Sequence, residues 1–277
     1  QMIAYQKVNG KNIGVLSILN SIRVYICLDF KSSALLIFLL IIFLLSAAIQ
    51  SVYLVLMNVG LIKKEINNQV NATTDPVSVV IAARNEYSNL KDLIPALLSQ
   101  DYPQFEIIIA LDRCTDDSYK LPEEYQTVSN LRFIEIKELP KSFSGKKYAL
   151  TQAIEHSNHE ILVLTDADCV PSSSKWLQSV KSSYSDTNQI VIGYGPYRKR
   201  SGVVNLFVRY ETILTAIQYF TFCKLGIPFM GVGRNMSYRK SFFNQNNGFD
   251  QFSEVTGGDD DLFISHHATR NNINSSF

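Results

Sequence analysis

The sequence predicts an α/β protein with a mostly parallel central sheet, preceded by a transmembrane helix. Three observations carry that expectation. Strand-like runs alternate with helix-like ones, the first of them, Val77 to Ala83, is a continuous apolar run, and Ala34 to Ile62 holds no charge between Lys31 and Lys63. Parallel neighbours need crossover connections, which helices supply, and strands covered on both faces read as unbroken apolar runs. The 277 residues are enough for one full-sized core with appendages.

The apolar stretch comes first in the chain. A spanning helix needs about 20 predominantly apolar residues, and this stretch exceeds that. A signal peptide would have a shorter apolar region nearer the N-terminus and a small-residue cleavage site after it. The expected organisation is an N-terminal segment over 1–33 of amphipathic or re-entrant character, a transmembrane helix over 34–62, a polar linker over 63–75 and a globular domain over 76–277. Lys7, Lys11, Arg23 and Lys31 precede the span and Lys63 and Lys64 follow it, a balance that by itself puts the N-terminus in the cytoplasm. The chemistry argued below needs the globular part there instead, and it takes precedence.

The globular elements follow in order. Val77 to Ala83 is a β-branched run and the first strand. Ser88 is positioned to cap a helix whose apolar residues Leu90, Leu93, Ile94, Leu97 and Leu98 fall at three- and four-residue spacings, with Pro95 inside it. Asp101-Tyr102-Pro103 ends that helix. Phe105 to Leu111 is the second strand, Leu131 to Ile136 the third, Lys146 to Glu155 a helix and Ile161 to Thr165 the fourth strand. A long apolar segment, Val203 to Phe222, leads to Gly226–Asn235 and then to an acidic helix start at Asp259. The end after Ile264 offers no closing strand, so truncation at Phe277 is expected.

Composition removes several classes of function. Lysine plus arginine total 26 against 25 acidic residues, so no net field draws the chain to nucleic acid. The four cysteines, Cys27, Cys114, Cys169 and Cys223, form no CxxC pair and suggest neither zinc nor a disulfide framework. No GxGxxG follows a strand, and there is no GxxxxGK[ST].

In open α/β sheets ligands bind at the carboxyl ends of strands. The second strand ends in Asp112 and the fourth in Asp166-Ala167-Asp168. Two carboxylates one residue apart can face one hard cation, magnesium or manganese, that leaves positions open for a diphosphate. The bland reading of the same spacing is a turn or a helix cap. Gly257-Gly258-Asp259-Asp260-Asp261 puts three carboxylates at a helix start. A cap accounts for one or two of them, and a third points to a functional cluster able to take a proton from a hydroxyl.

Taken together, these segments resemble glycosyltransferase family 2, whose members adopt the nucleotide-sugar-binding GT-A fold. VSVVIAARNE resembles the family's first strand and donor-binding turn, FEIIIALDRCTDDS its uridine-contacting aspartate, and SGKKYALTQAI its Gly-Lys helix start. LTDADCVP is similar to the metal-binding strand end, GVGRNMSYRKSFF to the acceptor-side segment, and GGDDDLF to the Glu-Asp-x-Asp-Leu motif. The resemblance implies an inverting glycosyltransferase with Asp259 as catalytic base, Asp166 and Asp168 as metal ligands, and Arg84, Glu86, Asp112, Lys146 and Asp166 at the donor. It implies a UDP-sugar donor, a glycan or lipid-linked acceptor, and a role in cell-envelope or polysaccharide synthesis at the membrane. Gly258 stands where the family has glutamate, which keeps Asp260 open as the base. No Gln-x-x-Arg-Trp motif occurs before Phe277.

Two rival readings share part of this pattern. A nucleotidyltransferase would need a glycine-rich phosphate loop after the first strand, where this chain has ARNE. A degenerate, non-catalytic nucleotide-binding module would bind a nucleotide and transfer nothing. Arg198, Lys199 and Arg200 form a basic run that suits either a solvated loop or phospholipid head groups.

Overall fold

The computed structural model describes residues 5–8, 11–62 and 75–276. The chain divides into two compact units, Gln1–Leu56 and Met57–Phe277. The first holds an antiparallel pair, β1 (Tyr5–Val8) and β2 (Lys11–Gly14), followed by most of the long helix α1 (Val15–Ile62). Within α1, Ser33–Asn58 is apolar enough to cross a membrane, with mean hydropathy 2.7. At 1.5 Å per residue its 26 residues extend about 39 Å, more than a hydrocarbon core of about 30 Å requires. The helix starts before this stretch, at Val15. Except for Asp75, the expected linker lies outside the described residues.

The second unit alternates as expected. Its elements are β3 (Val77–Ala83), α2 (Tyr87–Leu98), β4 (Phe105–Asp112), α3 (Leu121–Glu124), β5 (Leu131–Ile136), α4 (Gly145–Glu155), β6 (Ile161–Leu164), α5 (Trp176–Ser182) and β7 (Ile190–Gly193). They continue with α6 (Val203–Leu225), β8 (Met236–Arg239), α7 (Lys240–Gln245), α8 (Asp261–His267) and β9 (Ile273–Ser276). The strand order is β5-β4-β3-β6-β8-β7-β9. Only β8 runs antiparallel to its neighbours, β6 and β7.

Both faces of the sheet are covered. Val77, Val79 and Ile81 point to one face and pack with Leu90, Leu93, Ile94 and Leu97 of α2. Val80, Ile108 and Ala110 point to the other and pack with Ala149 and Leu150 of α4, Phe220 of α6 and Phe263 of α8. This double burial is why inner strands such as β3 and β6 carry no polar alternation. Cutting a fully buried leucine such as Leu93 to alanine costs about 2–5 kcal/mol.

Three local expectations are corrected. Ser88 does not cap α2. The helix begins one residue earlier, and the Asp116 carboxylate accepts the Tyr87 N–H at 3.0 Å from across the loop. Asp259 lies outside the last helix, which starts at Asp261 with Asp260 as its cap. A closing strand does exist: β9 pairs in parallel with β7. Its sequence, INSS, is mostly polar, and pairing rather than apolar patterning makes it a strand.

Candidate active site

Asp112 ends β4 with its carboxylate buried. Arg113 grips it with two bonds, Nε to Oδ1 at 2.7 Å and Nη2 to Oδ2 at 2.9 Å. Arg113 has φ +48°, a left-handed conformation that folds its side chain back on its neighbour. Gly145, the first residue of α4, sits against this pair. A Cβ there would lie 2.6 Å from both Arg113 Nη2 and Asp112 Oδ2, so glycine allows the helix start to come this close.

The next residue ties the acidic positions together. Lys146 Nζ is 2.9 Å from Asp166 Oδ1 and 3.0 Å from Asp259 Oδ2. Burial lowers the pKa of this lysine, but Asp166 and Asp259 outweigh it and raise the net value. Asp112, Asp166 and Asp259 come from separate parts of the chain, and the first turn of α4 touches all three.

Asp166, Ala167 and Asp168 follow β6, with Asp166 half-buried, Ala167 buried and Asp168 exposed. One ligand atom from each of Asp166, Asp168 and Cys169 lies within 4.8 Å of the others. The two carboxylates are hard oxygen donors of the kind magnesium and manganese take, so the residues present fit such an ion. Burial, with Asp168 and Asp166 alongside, pushes the Cys169 thiol up to about 12.

Asp259 is buried behind two successive left-handed glycines, Gly257 at φ +76° and Gly258 at φ +71°. That conformation favours glycine, and it turns the chain into α8. Asp260 has two partners: Oδ1 accepts from Asp261 N at 2.8 Å and Oδ2 from Gly233 N at 2.8 Å. Gly233 therefore lines the same cleft, and a Cβ on it would be 3.4 Å from Asp259 Oδ2. Desolvation, with Asp260 and Asp259 behind it, pushes the Asp261 carboxyl up to about 6.

Arg84 and Glu86 lie on the loop after β3, Arg84 exposed and Glu86 half-buried. Glu86 accepts from Asn89 Nδ2 at 2.6 Å, and neither residue joins the Lys146 ion pairs. Two neighbours of the site, Arg113 and Lys147, went unassigned in the sequence, and a third, Asn85, belongs with Arg84 and Glu86 to the stretch whose resemblance implies donor contact. Arg113 holds Asp112. Asn85, at φ +58°, accepts the Thr115 N–H at 2.7 Å and joins the two loops beyond β3 and β4. Lys147 is fully buried and donates to the carbonyls of Phe252, Val255 and Gly257. No sequence signal separates Lys147 from Lys146.

A family model described as glycosyl transferase family 2 matches residues 78–246, more than half of the chain. The chain belongs to glycosyl transferase family 2. The family 2 match takes in Asp112, Lys146, Asp166 and Asp168, while Asp259 lies beyond it. Poly-beta-1,6-N-acetyl-D-glucosamine synthase of Staphylococcus epidermidis is 30% identical over 94 residues, 34% of this chain and 22% of the synthase. Probable glycosyltransferase YdaM of Bacillus subtilis strain 168 is 29% identical over 97 residues, 34% of this chain and 23% of that protein. The aligned stretch thus spans less than a quarter of either curated relative. Among solved structures, mannosyltransferase PcManGT from Pyrobaculum calidifontis in complex with GDP-Man and Mn2+ superposes with TM-score 0.64 at 19% identity, over 81% of this chain and 63% of that one. TarS of S. aureus, residues 1–349, gives TM-score 0.51 at 17% identity over 72% and 57%. These likenesses establish the fold of this family 2 domain, which is GT-A.

Proposed function

We propose that the chain moves a sugar from a nucleotide diphosphate donor to an acceptor hydroxyl, with inversion at the anomeric carbon. The observation that carries this reading is the Lys146 ammonium shared between Asp166 at 2.9 Å and Asp259 at 3.0 Å. It joins a carboxylate able to hold a cation to a buried carboxylate able to take a proton. Family membership favours it over a nucleotidyltransferase or a silent nucleotide-binding module.

The reading gives each residue a role. Asp259 takes the proton of the acceptor hydroxyl, whose oxygen bonds to the anomeric carbon as the bond from that carbon to the diphosphate oxygen breaks. The nucleoside diphosphate leaves. Magnesium or manganese, held by Asp166 and Asp168, would neutralise charge developing on that leaving group. Lys146 adds a second positive charge. An arriving diphosphate competes with Asp259 for the ammonium, and its transfer to phosphate oxygens frees Asp259 Oδ2 once the donor is in place. Asp112, with Arg84 and Glu86, serves the nucleoside end, with a UDP-sugar as the donor. The GDP-Man and Mn2+ bound by PcManGT are in keeping with a nucleotide sugar and a divalent cation.

The setting is part of the proposal. The apolar stretch Ser33–Asn58 anchors the chain, the catalytic domain works on the cytoplasmic side, and the acceptor is a glycan or lipid-linked glycan in cell-envelope or polysaccharide synthesis. The test is a panel of nucleotide sugars offered to the purified full chain with manganese or with chelator. Nucleoside diphosphate release and the anomeric configuration of the product are followed. Turnover with retention, or turnover indifferent to Asp259→Asn and Asp260→Asn alike, would reject the mechanism.

A further inference from the structure

Helix α6 packs into the domain along its second half, while large apolar side chains of its first half stay in solvent. Ala216, Tyr219, Phe220 and Cys223 are buried, on the side that packs into the core. Val203, Leu206, Phe207, Tyr210 and Ile213 recur at three- and four-residue spacings along the first half. They stay in solvent, with Val203 81% and Phe207 61% exposed. An outward stripe of large apolar side chains marks an interaction surface.

The surroundings of the stripe identify the cover. Arg198, Lys199 and Arg200 directly precede the helix, all exposed, and no acidic residue occupies its first turn. The basic run is held against the helix start. Asn205 Oδ1 accepts from Arg200 N at 2.8 Å, and Asn205 Nδ2 donates to Arg198 O at 3.1 Å. The positive end of the helix dipole points the same way. Exposed Tyr197 and Tyr210 are residues of the kind that settle at head-group level. Fixed cations beside an apolar stripe match anionic head groups lying over hydrocarbon, whereas the core of a protein–protein contact is depleted of charge. The same chain carries an apolar helix long enough to hold it at a bilayer.

We infer that the first half of α6, with Arg198, Lys199 and Arg200, docks on an anionic lipid bilayer, its apolar stripe set into the head-group boundary. The inference stands on surface chemistry alone and survives even if no sugar is transferred.

The test uses the full chain in nanodiscs of phosphatidylcholine with or without phosphatidylglycerol. An environment-sensitive fluorescent amino acid replaces Phe207, or Glu123 on α3 as a control, and quenching by acyl-chain spin-labelled lipid is read. Both positions are exposed, and thermal unfolding checks that each labelled chain is folded. The expected result is several-fold stronger quenching at Phe207 than at Glu123 in anionic discs, falling to the control level when Arg198, Lys199 and Arg200 are all replaced by glutamine. Equal quenching at the two positions overturns the proposal, as does quenching at Phe207 indifferent to lipid charge and to the triple replacement. A blue-shifted label that lipid does not quench, and that reddens on dilution to one chain per disc, assigns the stripe to a second copy and overturns it as well.

Discussion

Lys147 donates its buried ammonium to the carbonyl oxygen of Val255 at 2.6 Å. It also donates to Phe252 O at 3.0 Å and to the carbonyl of Gly257, and so holds the loop that delivers Asp259. Adjacent lysines of α4 thus contact one motif twice, Lys146 at its carboxylate and Lys147 at its backbone. Lys147→Met keeps the stem but leaves these carbonyls without their donor. We expect a loss of about 3 kcal/mol in chemical denaturation, with turnover falling further than stability explains. A midpoint equal to that of the parent would refute the anchoring role.

Asp259 and Asp260 can be told apart by amide substitution. Asp259→Asn should lower kcat by about 100- to 10,000-fold while donor binding holds. Asp260→Asn should have a smaller effect, since its remaining carbonyl oxygen can still accept from Gly233 N or Asp261 N. The reverse ranking in steady-state kinetics would move the base to Asp260.

Asp168 is exposed and bonded to no lysine or arginine among the described residues, so its replacement should leave the fold intact. Asp168→Asn is expected to weaken manganese binding about tenfold or more, read by electron paramagnetic resonance in the presence of a nucleoside diphosphate. Chelator should abolish turnover by the parent and manganese should restore it. Parent-like manganese binding by the variant would remove Asp168 from the metal site.

Asp261 makes a pH-dependent prediction. Its carboxyl titrates near 3.8 when unfolded and at about 6 in the fold. The native state therefore favours the protonated form. Below 3.8 the shift has no effect on stability, and the cost of the charged form grows as pH rises and is complete above about 6. Asp261→Asn removes that cost. Thermal unfolding should show a small gain for the variant well above pH 6 and none below 3.8. The gain is small because the side chain is partly in water. An equal gain at both extremes would show that the charge is not its source.

Strands β3, β4 and β6 could be read from the sequence because both faces of the sheet are covered there, and unbroken runs such as Val77–Ala83 have no other economical explanation; β5, at the sheet's end, was read from its apolar positions and carries Arg132 and Glu135. The other strands could not be read. β8 reads MSYR and β9 reads INSS, too short and polar to stand out. They are strands because β8 fits antiparallel between β6 and β7 and β9 completes β7. At the cleft, Asp112, Asp166 and Asp168 were marked by their place after strands. The partnership of Lys146 with Asp259 links positions more than a hundred residues apart and needed the fold. So did the burial of Lys147, since two neighbouring lysines look alike until one face of a helix is covered.

The parallel register of Ile273 against Ile190 gives the last residues of the described chain a protective role. A protein clipped at Arg270 would lose β9 and move the sheet's open edge from the polar INSS strand to the apolar IVIG of β7. Such a bare border can recruit strands from other molecules. The expected result of that cut is a precipitating product, in which an otherwise intact catalytic cleft is lost to aggregation.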